Sequence, residues 1–255
     1  MTNSFLKNTA YGVLDLITLK KGVARKINNR KIRFPAKWSR YYPGEYEPDN
    51  YGFLEQQLKP GMHVIDIGAH IGLFSVCSSQ LVGPGGKIIC FEPTPGTFAV
   101  LKNTLRLNHC DNVIALQGAV SSKEGSATFY VSQVEGSNSN SLVRNKSEAS
   151  SSAFDVKLYT IDSIASGYSL KPSLIKIDVE GAELEVLKGG RHTLTTIKPL
   201  IILGLHPPFA GDNILKQIWD LVKEYGYKVI YNDVQIGESD FITQPTLFDV
   251  QLIPA

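Results

Sequence analysis

The sequence reads VIDIGAHIG at residues 64–72, and this segment carries the clearest structural signal in the chain. It continues an apolar run, Met62 to Ile67, of the kind that a parallel sheet buries on both faces. Gly68 and Gly72 then bracket a turn, and a helix is predicted from Ile71 to Leu81. Glycine lacks a Cβ atom, so the backbone can bend sharply there and lie close to a ligand. The segment predicts either an ordinary turn between strand and helix or a site for a nucleotide-like ligand.

A second apolar strand, Lys87 to Phe91, follows and ends in Glu92 and Pro93. An acid at the end of the second strand of such a unit can hydrogen-bond both hydroxyls of a ribose. A dinucleotide loop reads G-x-G-x-x-G, but here His70 stands where the second glycine would be. Asp66 precedes the turn, and a carboxylate there would repel a pyrophosphate but suit a cationic ligand. The loop therefore favours S-adenosylmethionine (SAM), which carries a sulfonium and an ammonium group, over a nicotinamide dinucleotide.

The composition is that of an ordinary globular protein, with 43% hydrophobic and 20% charged residues in a chain of 255. The formal net charge of +2 conceals an uneven distribution, because residues 1–40 carry ten Lys or Arg and one acid, Asp15. A basic leader can face solvent, or contact an anionic membrane surface, a nucleic acid or the acidic body. We interpret it as a solvated face of an N-terminal extension, residues 1–52, that precedes a catalytic domain at residues 53–255.

Neither a signal peptide nor a transmembrane segment is expected. Asp15 interrupts the apolar stretch Tyr11 to Leu19, and no run reaches the roughly 20 apolar residues that cross a bilayer. The cysteines at Cys77, Cys90 and Cys110 lack C-x-x-C spacing and are typical of small core side chains. The expected compartment is a reducing cytoplasm.

Apolar spacing predicts an amphipathic helix within residues 5–27 and a short strand at residues 31–34. Trp38 to Tyr51 is rich in aromatics, Pro and Gly and is expected to be a loop, followed by a helix from Phe53 to Leu58. From Met62 onward, strands alternate with helices, with a fourth strand expected at residues 127–131. This alternation is typical of a parallel sheet with helices on both faces.

The segment LIKIDVEG, residues 174–181, is the second informative unit. Its buried strand is expected to deliver Asp178 at the carboxyl end, and the strand Pro199 to Leu205 ends at His206. Ligands of open α/β sheets bind beyond the carboxyl ends of the strands. The residues expected to converge at that edge are Asp66, Glu92, Asp178 and His206.

The segments VIDIGAHIGLFS, CFEP and LIKIDVEGAELEVLKGG resemble the FkbM family of SAM-dependent methyltransferases. The likeness covers roughly Glu45 to His206. It implies a Rossmann-like class I methyltransferase fold of the α/β class, with a seven-stranded, mostly parallel sheet whose last strand is antiparallel. It also implies methyl transfer to a hydroxyl of a small molecule or glycan, with O-methylation of a sugar favoured.

The resemblance implies roles for the matching residues. Glu92 would hold the ribose and Ala119 would lie near the adenine, while Asp178 and Glu180 would face the reacting centre. The full predicted SAM-binding set is Asp66, Gly68, Ala69, His70, Gly72, Glu92, Pro93, Ala119 and Asp178.

One departure from the family pattern concerns the fifth strand, where relatives often read E-x-H. This chain reads Gly204-Leu205-His206, so the glutamate is missing. Two mechanisms stay open. In the first, His206 or Asp178 is the general base and Glu180 orients the hydroxyl. In the second, Asp178 and His206, with another oxygen ligand, hold Mg²⁺. The metal-free mechanism is favoured because histidine is not a preferred Mg²⁺ ligand. Asp178 could instead cap the helix that follows it.

Other function classes remain as alternatives: a SAM-fold binding or scaffold protein without activity, and a nicotinamide-dependent oxidoreductase. Nucleic-acid methylation is not favoured, since Arg and aromatic residues alternate only at residues 34–42. The acceptor pocket is expected from residues 36–52, 133–153 and 206–213. Of these, the Ser-, Asn- and Gly-rich segment 133–152 predicts a disordered surface loop or a lid.

Overall fold

The computed structural model describes residues 21–131, 152–207, 213–244 and 246–255. The strands are β1 Val23–Ile27, β2 Arg30–Phe34, β3 His63–Ile67, β4 Lys87–Phe91, β5 Val113–Leu116, β6 Ala119–Val120, β7 Gly125–Val131, β8 Ser152–Tyr159, β9 Leu174–Ile177, β10 Leu200–Leu205, β11 Tyr227–Tyr231, β12 Val234–Gln235 and β13 Phe248–Pro254. The helices are α1 Pro48–Gln57, α2 Leu73–Val82, α3 Pro95–Leu107, α4 Ile161–Gly167, α5 Glu183–Lys188, α6 Arg191–Thr196, α7 Ile214–Glu224 and α8 Glu238–Ile242, with a 3₁₀ helix at Ala36–Arg40.

The main sheet has eight strands in the order β12-β11-β13-β10-β9-β3-β4-β5. Strands β10, β9, β3, β4 and β5 pair in parallel, whereas β13 runs antiparallel to both β10 and β11. Seven of these strands reproduce the predicted sheet with its antiparallel last strand. The eighth, β12, is a two-residue strand at the edge, joined to β11 by a tight turn at Asn232 and Asp233. The predicted class I methyltransferase fold is confirmed.

The core lies on both faces of this sheet because its central strands are apolar throughout. Consecutive residues of a strand point to opposite faces, so the fully buried Val64 and Ile65 enter different halves of the core. One half packs against α1, α2, α3 and the β1–β2 hairpin, and the other against α4, α5, α6, α7 and α8. The sheet's carboxyl edge is left free to carry polar side chains.

The predicted N-terminal helix is wrong at its carboxyl end. Val23–Ile27 is a strand that pairs antiparallel with Arg30–Phe34, which confirms the strand predicted at residues 31–34. Asn28 and Asn29 join the two strands with φ angles of 44° and 64°. Such left-handed pairs form the tightest hairpin turns, for which asparagine is favoured. The turn residues thus decide the structure here, although the spacing of apolar residues favours a helix. The rest of the predicted helix, up to residue 20, lies outside the described residues.

The predicted loop at residues 38–51 is also only partly correct. It contains the end of the 3₁₀ helix and the first turn of α1, which begins at Pro48 because proline is well suited to the first helical position. Helix α1 crosses the predicted boundary between the N-terminal extension and the catalytic domain at residue 52. Its Tyr51 and Leu54 are buried in the same half of the core as Phe34 of the hairpin. The assignment of 1–52 as an extension stays a prediction.

The strand predicted at residues 127–131 forms but joins a separate sheet of order β6-β8-β7. This small sheet places Phe129 beside the site described below. Most of the predicted loop or lid, residues 132–151, lies outside the described residues. The cysteines at Cys77, Cys90 and Cys110 are buried and free, as expected. Among the helices described here, none has the length and apolar character required to span a membrane.

Candidate active site

A cavity of about 450 Å³ opens at the carboxyl ends of β3, β4 and β9. Because β3 lies between β4 and β9, the residues that follow β4 and β9 approach the cavity from opposite sides of β3. The predicted site residues that line it are Gly68, Ala69, His70, Glu92, Pro93, Ala119, Asp178 and Glu180. The predicted residues outside its wall are Asp66, Gly72 and His206.

The turn after β3 lies directly against the backbone that follows β9. The amides of Gly68 and Ala69 both donate to the carbonyl of Phe91, at 3.1 and 2.8 Å. Gly68 has a φ of +80°, and a Cβ there would lie 1.8 Å from the carbonyl oxygen of Asp178. Asp178 in turn donates its amide to Ile67, at 3.0 Å. Only glycine fits this approach, so Gly68 sets the floor of the cavity.

Gly72 serves helix packing and not the cavity wall. It is the N-cap of α2 with a φ of 93°, and a Cβ there would lie 2.5 Å from Leu101 of α3. Gly72 thus lies outside the residues that line the cavity, and its contact with a ligand stays a prediction.

Glu92 is only 6% exposed and is held by two backbone amides. His70 donates to Oε2 at 3.1 Å and Thr94 donates to Oε1 at 2.9 Å. Burial raises the pKa of Glu92 to about 7, although these hydrogen bonds oppose the increase. The Thr94 side chain also bonds Glu92. A carboxylate has about four acceptor positions, so Glu92 is a fixed side chain that can still accept from a hydroxyl group in the cavity.

His70 connects this acid to an aromatic wall. Its ring Nδ1 lies 3.0 Å from the hydroxyl of Tyr42, and its ring meets Trp38 edge-on at 5.7 Å between centroids. Burial, followed by the charge of Lys176, lowers the pKa of His70 to about 4. The imidazole is therefore neutral at pH 7.

The wall continues through rings that contact one another in series. Tyr42 and Tyr46 lie 5.1 Å apart, Tyr46 and Tyr51 6.3 Å, and Tyr51 and Phe74 6.0 Å between centroids. These rings, together with Trp38, line the cavity. Residues 36–52, which the sequence predicts for the acceptor pocket, thus form much of this wall.

Lys176 is a buried cation between two carboxylates. Its Nζ lies 3.0 Å from Oδ2 of Asp178 and 3.9 Å from Oδ1 of Asp66, and it donates to the carbonyl of Gly68 at 3.0 Å. Burial alone would lower the pKa of Lys176, but the two carboxylates outweigh burial and hold this pKa above its usual value. Lys176 therefore joins the glycine turn to Asp178 as one charged unit.

Asp66 lies beneath the turn, wholly buried, and not in the cavity wall. Its Oδ2 accepts a hydrogen bond from Ser75 of α2 at 2.5 Å, and burial raises its pKa. Oδ1 has no hydrogen-bond partner among the described residues and faces Lys176. The cation that Asp66 faces is Lys176, and contact of this carboxylate with a cationic ligand stays a prediction.

His206 lies behind Asp178. Its Nδ1 is 2.7 Å from Oε1 of the buried Glu183, and its Nε2 is 3.5 Å from Oδ1 of Asp178. The same Glu183 oxygen accepts the amide of Gly181 at 2.9 Å. Burial lowers the pKa of His206, but Glu183 and then Asp178 outweigh it, so the pKa is raised overall.

Glu180 lines the cavity from the turn that follows Asp178, with a left-handed backbone at φ 54°. Burial raises its pKa to about 7. The α5 helix starts later, at Glu183, and its N-cap, Ala182, receives no side-chain hydrogen bond. Asp178 is therefore not a helix cap, and its carboxylate is available to the site.

The missing glutamate of the E-x-H pattern has a counterpart in space. Gly204 of β10 is paired in register with Asp249 of β13. A Cβ at Gly204 would lie 3.1 Å from Oδ1 of Asp249 and 3.4 Å from Oδ1 of Asp178. Asp249 also accepts a hydrogen bond from Asn50 of α1 at 2.8 Å. A carboxylate from the neighbouring strand thus occupies the space beside Asp178.

Sequence reasoning overlooked Lys176, Glu183 and Asp249. A signal for Lys176 was available, because a lysine within the run Leu-Ile-Lys-Ile must be buried, and buried lysines are almost always paired. Within the described ranges, no group of three His, Cys, Asp or Glu side chains is arranged to hold a metal ion.

Two relatives of known name, one solved structure and one family profile match this chain. A relative from Haloferax volcanii, hexuronic acid methyltransferase AglP, is 31% identical over 173 residues, which cover 67% of this chain and 66% of the relative. The 2-O-methyltransferase NoeI of Sinorhizobium fredii is 29% identical over 150 residues, 54% of this chain and 60% of that protein. The chain therefore spans about three fifths to two thirds of the length of these relatives.

The crystal structure of methyltransferase FkbM from Methylobacillus flagellatus superposes with a TM-score of 0.51 and 14% identity, over 80% of this chain and 51% of that one. It supports the fold alone. The profile of the methyltransferase FkbM domain matches residues 66–229, more than half of the sequence, and includes both the glycine turn and the Asp178 segment. This chain belongs to the FkbM methyltransferase family.

Proposed function

We propose that this protein transfers a methyl group from SAM to a hydroxyl oxygen of a sugar or a related small molecule. The observation that carries the proposal is that one cavity brings together a fixed hydroxyl acceptor, Glu92, two acids, Asp178 and Glu180, and an aromatic wall. Family membership supports methyl transfer, and the cavity composition supports the cofactor and the acceptor class.

The residues present fit SAM. Glu92 ends β4, where it would accept the ribose hydroxyls, and its carboxylate is already fixed by two amides. Ala119, Phe91 and Phe129 provide an apolar lining suited to an adenine. The negative charge of Asp178 suits a cationic cofactor. When bound, SAM supplies a methyl group that its sulfonium sulfur makes electrophilic.

The chain's own residues must then align the acceptor hydroxyl and remove its proton. Flat aromatic faces such as Trp38 and Tyr46 suit the apolar face of a sugar ring. The names of the two relatives, a hexuronic acid methyltransferase and a 2-O-methyltransferase, support O-methylation of a carbohydrate. We further propose that residues 38–51 form the acceptor side of the site. We also propose that the buried free cysteines reflect a reducing cytoplasm.

Glu92→Ala is expected to abolish SAM binding, because it removes both oxygens that would hold the ribose hydroxyls. Calorimetric titration of the purified protein with SAM measures this, and micromolar affinity is expected for the unchanged chain. Glu124→Ala is the matched control, since Glu124 is exposed and outside the cavity. Equal SAM affinity in all three proteins would contradict the assignment of Glu92.

Transfer from SAM carrying a labelled methyl group tests the acceptor class. The first acceptors to screen are methyl glycosides of neutral hexoses and of hexuronic acids, with and without Mg²⁺. Saturable SAM binding without transfer to any acceptor would favour the alternative of a SAM-binding or scaffold protein. A folded chain that does not bind SAM would remove the main support for the proposal.

Trp38→Ala is expected to raise the KM for a sugar acceptor about two- to tenfold, because one stacking face is worth roughly 0.5–1.5 kcal/mol. The Kd for SAM should stay within about twofold, since Trp38 meets the ring of His70 and not its amide. Steady-state kinetics beside calorimetry measures both constants. An unchanged KM would place the acceptor elsewhere in the cavity.

A further inference from the structure

We propose that Glu180 is the general base that takes the proton from the acceptor hydroxyl. Asp178, in contrast, is a positioning anion that Lys176 and His206 hold in its charged form. This assignment rests on the proposed methyl transfer. It gives Asp178 and Glu180, which are two residues apart, different roles.

Both carboxylate oxygens of Asp178 are engaged by cations. Oδ2 lies 3.0 Å from Nζ of Lys176, and Oδ1 lies 3.5 Å from Nε2 of His206. Burial would raise the pKa of Asp178, but Lys176 and then His206 outweigh burial and lower the pKa below its usual value. A carboxylate held in this way is a weak proton acceptor, although its side chain is 38% exposed and faces the cavity.

His206 is equally unsuited to the role of base. Glu183 is 1% exposed, and a carboxylate can only accept hydrogen bonds, so Nδ1 of His206 carries its proton toward Glu183. The raised pKa of His206 favours a second proton on Nε2, which then donates toward Asp178. His206 also lies outside the cavity wall. Glu183 is therefore the residue that positions His206, and through Gly181 it also fixes the turn that carries Glu180.

Glu180 has the position and the environment that a general base needs. It lines the cavity two residues beyond Asp178. Burial raises its pKa to about 7, and the carboxylates of Asp178, Glu183 and Glu92 add to this, while His206 opposes it. A base is most effective when its pKa lies near the working pH.

The resulting step is balanced. The proton of the acceptor hydroxyl passes to a carboxylate oxygen of Glu180, and the electron pair left on the acceptor oxygen forms the bond to the methyl carbon. The electrons of the broken carbon–sulfur bond remain on sulfur, which becomes a neutral thioether. Asp178 keeps its charge throughout, and Glu180 returns its proton to solvent.

The first test needs no acceptor. The full chain is labelled with ¹³C at glutamate and aspartate carboxyls, and the pH titration is followed by NMR, with signals assigned through Glu180→Gln, Glu92→Gln and Asp178→Asn. We expect the Glu180 signal to titrate near pH 7 and the Asp178 signal to stay ionised below the usual range of an aspartate. An Asp178 signal that titrates near 7, or a Glu180 signal near its ordinary value of about 4.3, would overturn the assignment.

The second test uses labelled-methyl SAM and the glycoside panel. Glu180→Gln is expected to reduce kcat by about 10²–10⁴-fold and to leave the Kd for SAM within about twofold. The control is Glu185→Gln, because Glu185 pairs with Lys188 and Ser122 outside the cavity. In the unchanged chain, kcat/KM should fall about tenfold per pH unit below pH 7. Transfer by Glu180→Gln within tenfold of the unchanged chain would overturn this assignment alone, whereas absent SAM binding by the unchanged chain would overturn the proposed function.

Glu183→Gln tests the positioning role. An amide can donate to Nδ1 of His206, so the variant should lower the pKa of His206 and raise that of Asp178, both measurable by NMR. A purely structural role would lower stability but leave both pKa values where they are.

Discussion

Gly68→Ala is expected to lower the free energy of unfolding by more than about 4 kcal/mol, or to prevent folding altogether. The new Cβ would lie 1.8 Å from the carbonyl oxygen of Asp178, at a φ of +80°. Both sides of this contact are backbone that follows a buried strand, and the amide of Asp178 is tied to Ile67 at 3.0 Å. Neither side can move without breaking the pairing of β3 with β9, so the clash cannot be relieved locally. Urea unfolding followed by circular dichroism measures the loss.

Gly61→Ala is the matched control for backbone strain. Gly61 has a φ of +86°, close to that of Gly68, but no atom lies within 4 Å of the Cβ that would be added. The free energy of unfolding of Gly61→Ala should therefore fall only by the cost of a left-handed backbone at alanine, about 1–2 kcal/mol. Equal losses in the two variants would show that the contact between Gly68 and Asp178 is not rigid.

Lys176→Met is expected to lower the free energy of unfolding by about 3–5 kcal/mol, the usual effect of breaking a buried ion pair from one side. The methionine fills a similar volume but leaves Asp66 and Asp178 without their shared cation. The carbonyl of Gly68 also loses its donor at 3.0 Å. Asp66→Asn, added to the same chain, should recover part of the loss because it removes one of the two uncompensated charges.

The pH dependence that Asp178 gives to the stability should weaken in this variant. In the unchanged chain its pKa is lower folded than unfolded, so its stabilising contribution is present above the unfolded value of about 4 and is lost as pH falls. Without Lys176, His206 still opposes burial at the other oxygen, so the folded pKa of Asp178 rises and its stabilising contribution above about pH 4 becomes smaller. Unfolding curves between pH 4 and 8 measure this. If the free energies of unfolding of the unchanged chain and of Lys176→Met differ by the same amount at every pH, the assigned role of Lys176 is wrong.

The central sheet could be predicted because its strands are short apolar runs bounded by Gly, Pro or a single acid. The hairpin at Val23–Phe34 could not be predicted from apolar spacing alone, since its strands are set by the two left-handed asparagines between them. The start of α1 at Pro48 was missed because a segment rich in Pro and aromatics also resembles a loop. In both places the decisive signal was turn or cap chemistry, which a count of apolar residues does not contain.

The site was predictable where a polar residue ends a strand. Glu92 and Asp178 were found in this way, whereas Glu180 came from the family resemblance, and the structure places all three around one cavity. Asp66 ends its strand too, but its side chain turns toward Ser75 and Lys176. Asp249 could not be assigned, because its place beside Asp178 depends on the antiparallel register with Gly204. Contacts made across strands distant in the chain have no signature in local sequence.

His70 contacts both Glu92 and the aromatic wall, because its amide donates to Glu92 and its ring lies 3.0 Å from the hydroxyl of Tyr42. In the proposed function, Glu92 holds SAM and the aromatic wall holds the acceptor. We expect ligands that contact the two sides of this residue to be coupled, and any coupling free energy is the same in both directions. If SAM tightens the binding of a sugar by some factor, the sugar must tighten the binding of SAM by the same factor. Tyr42→Phe, which removes the hydroxyl but keeps the ring, should bring that factor close to one.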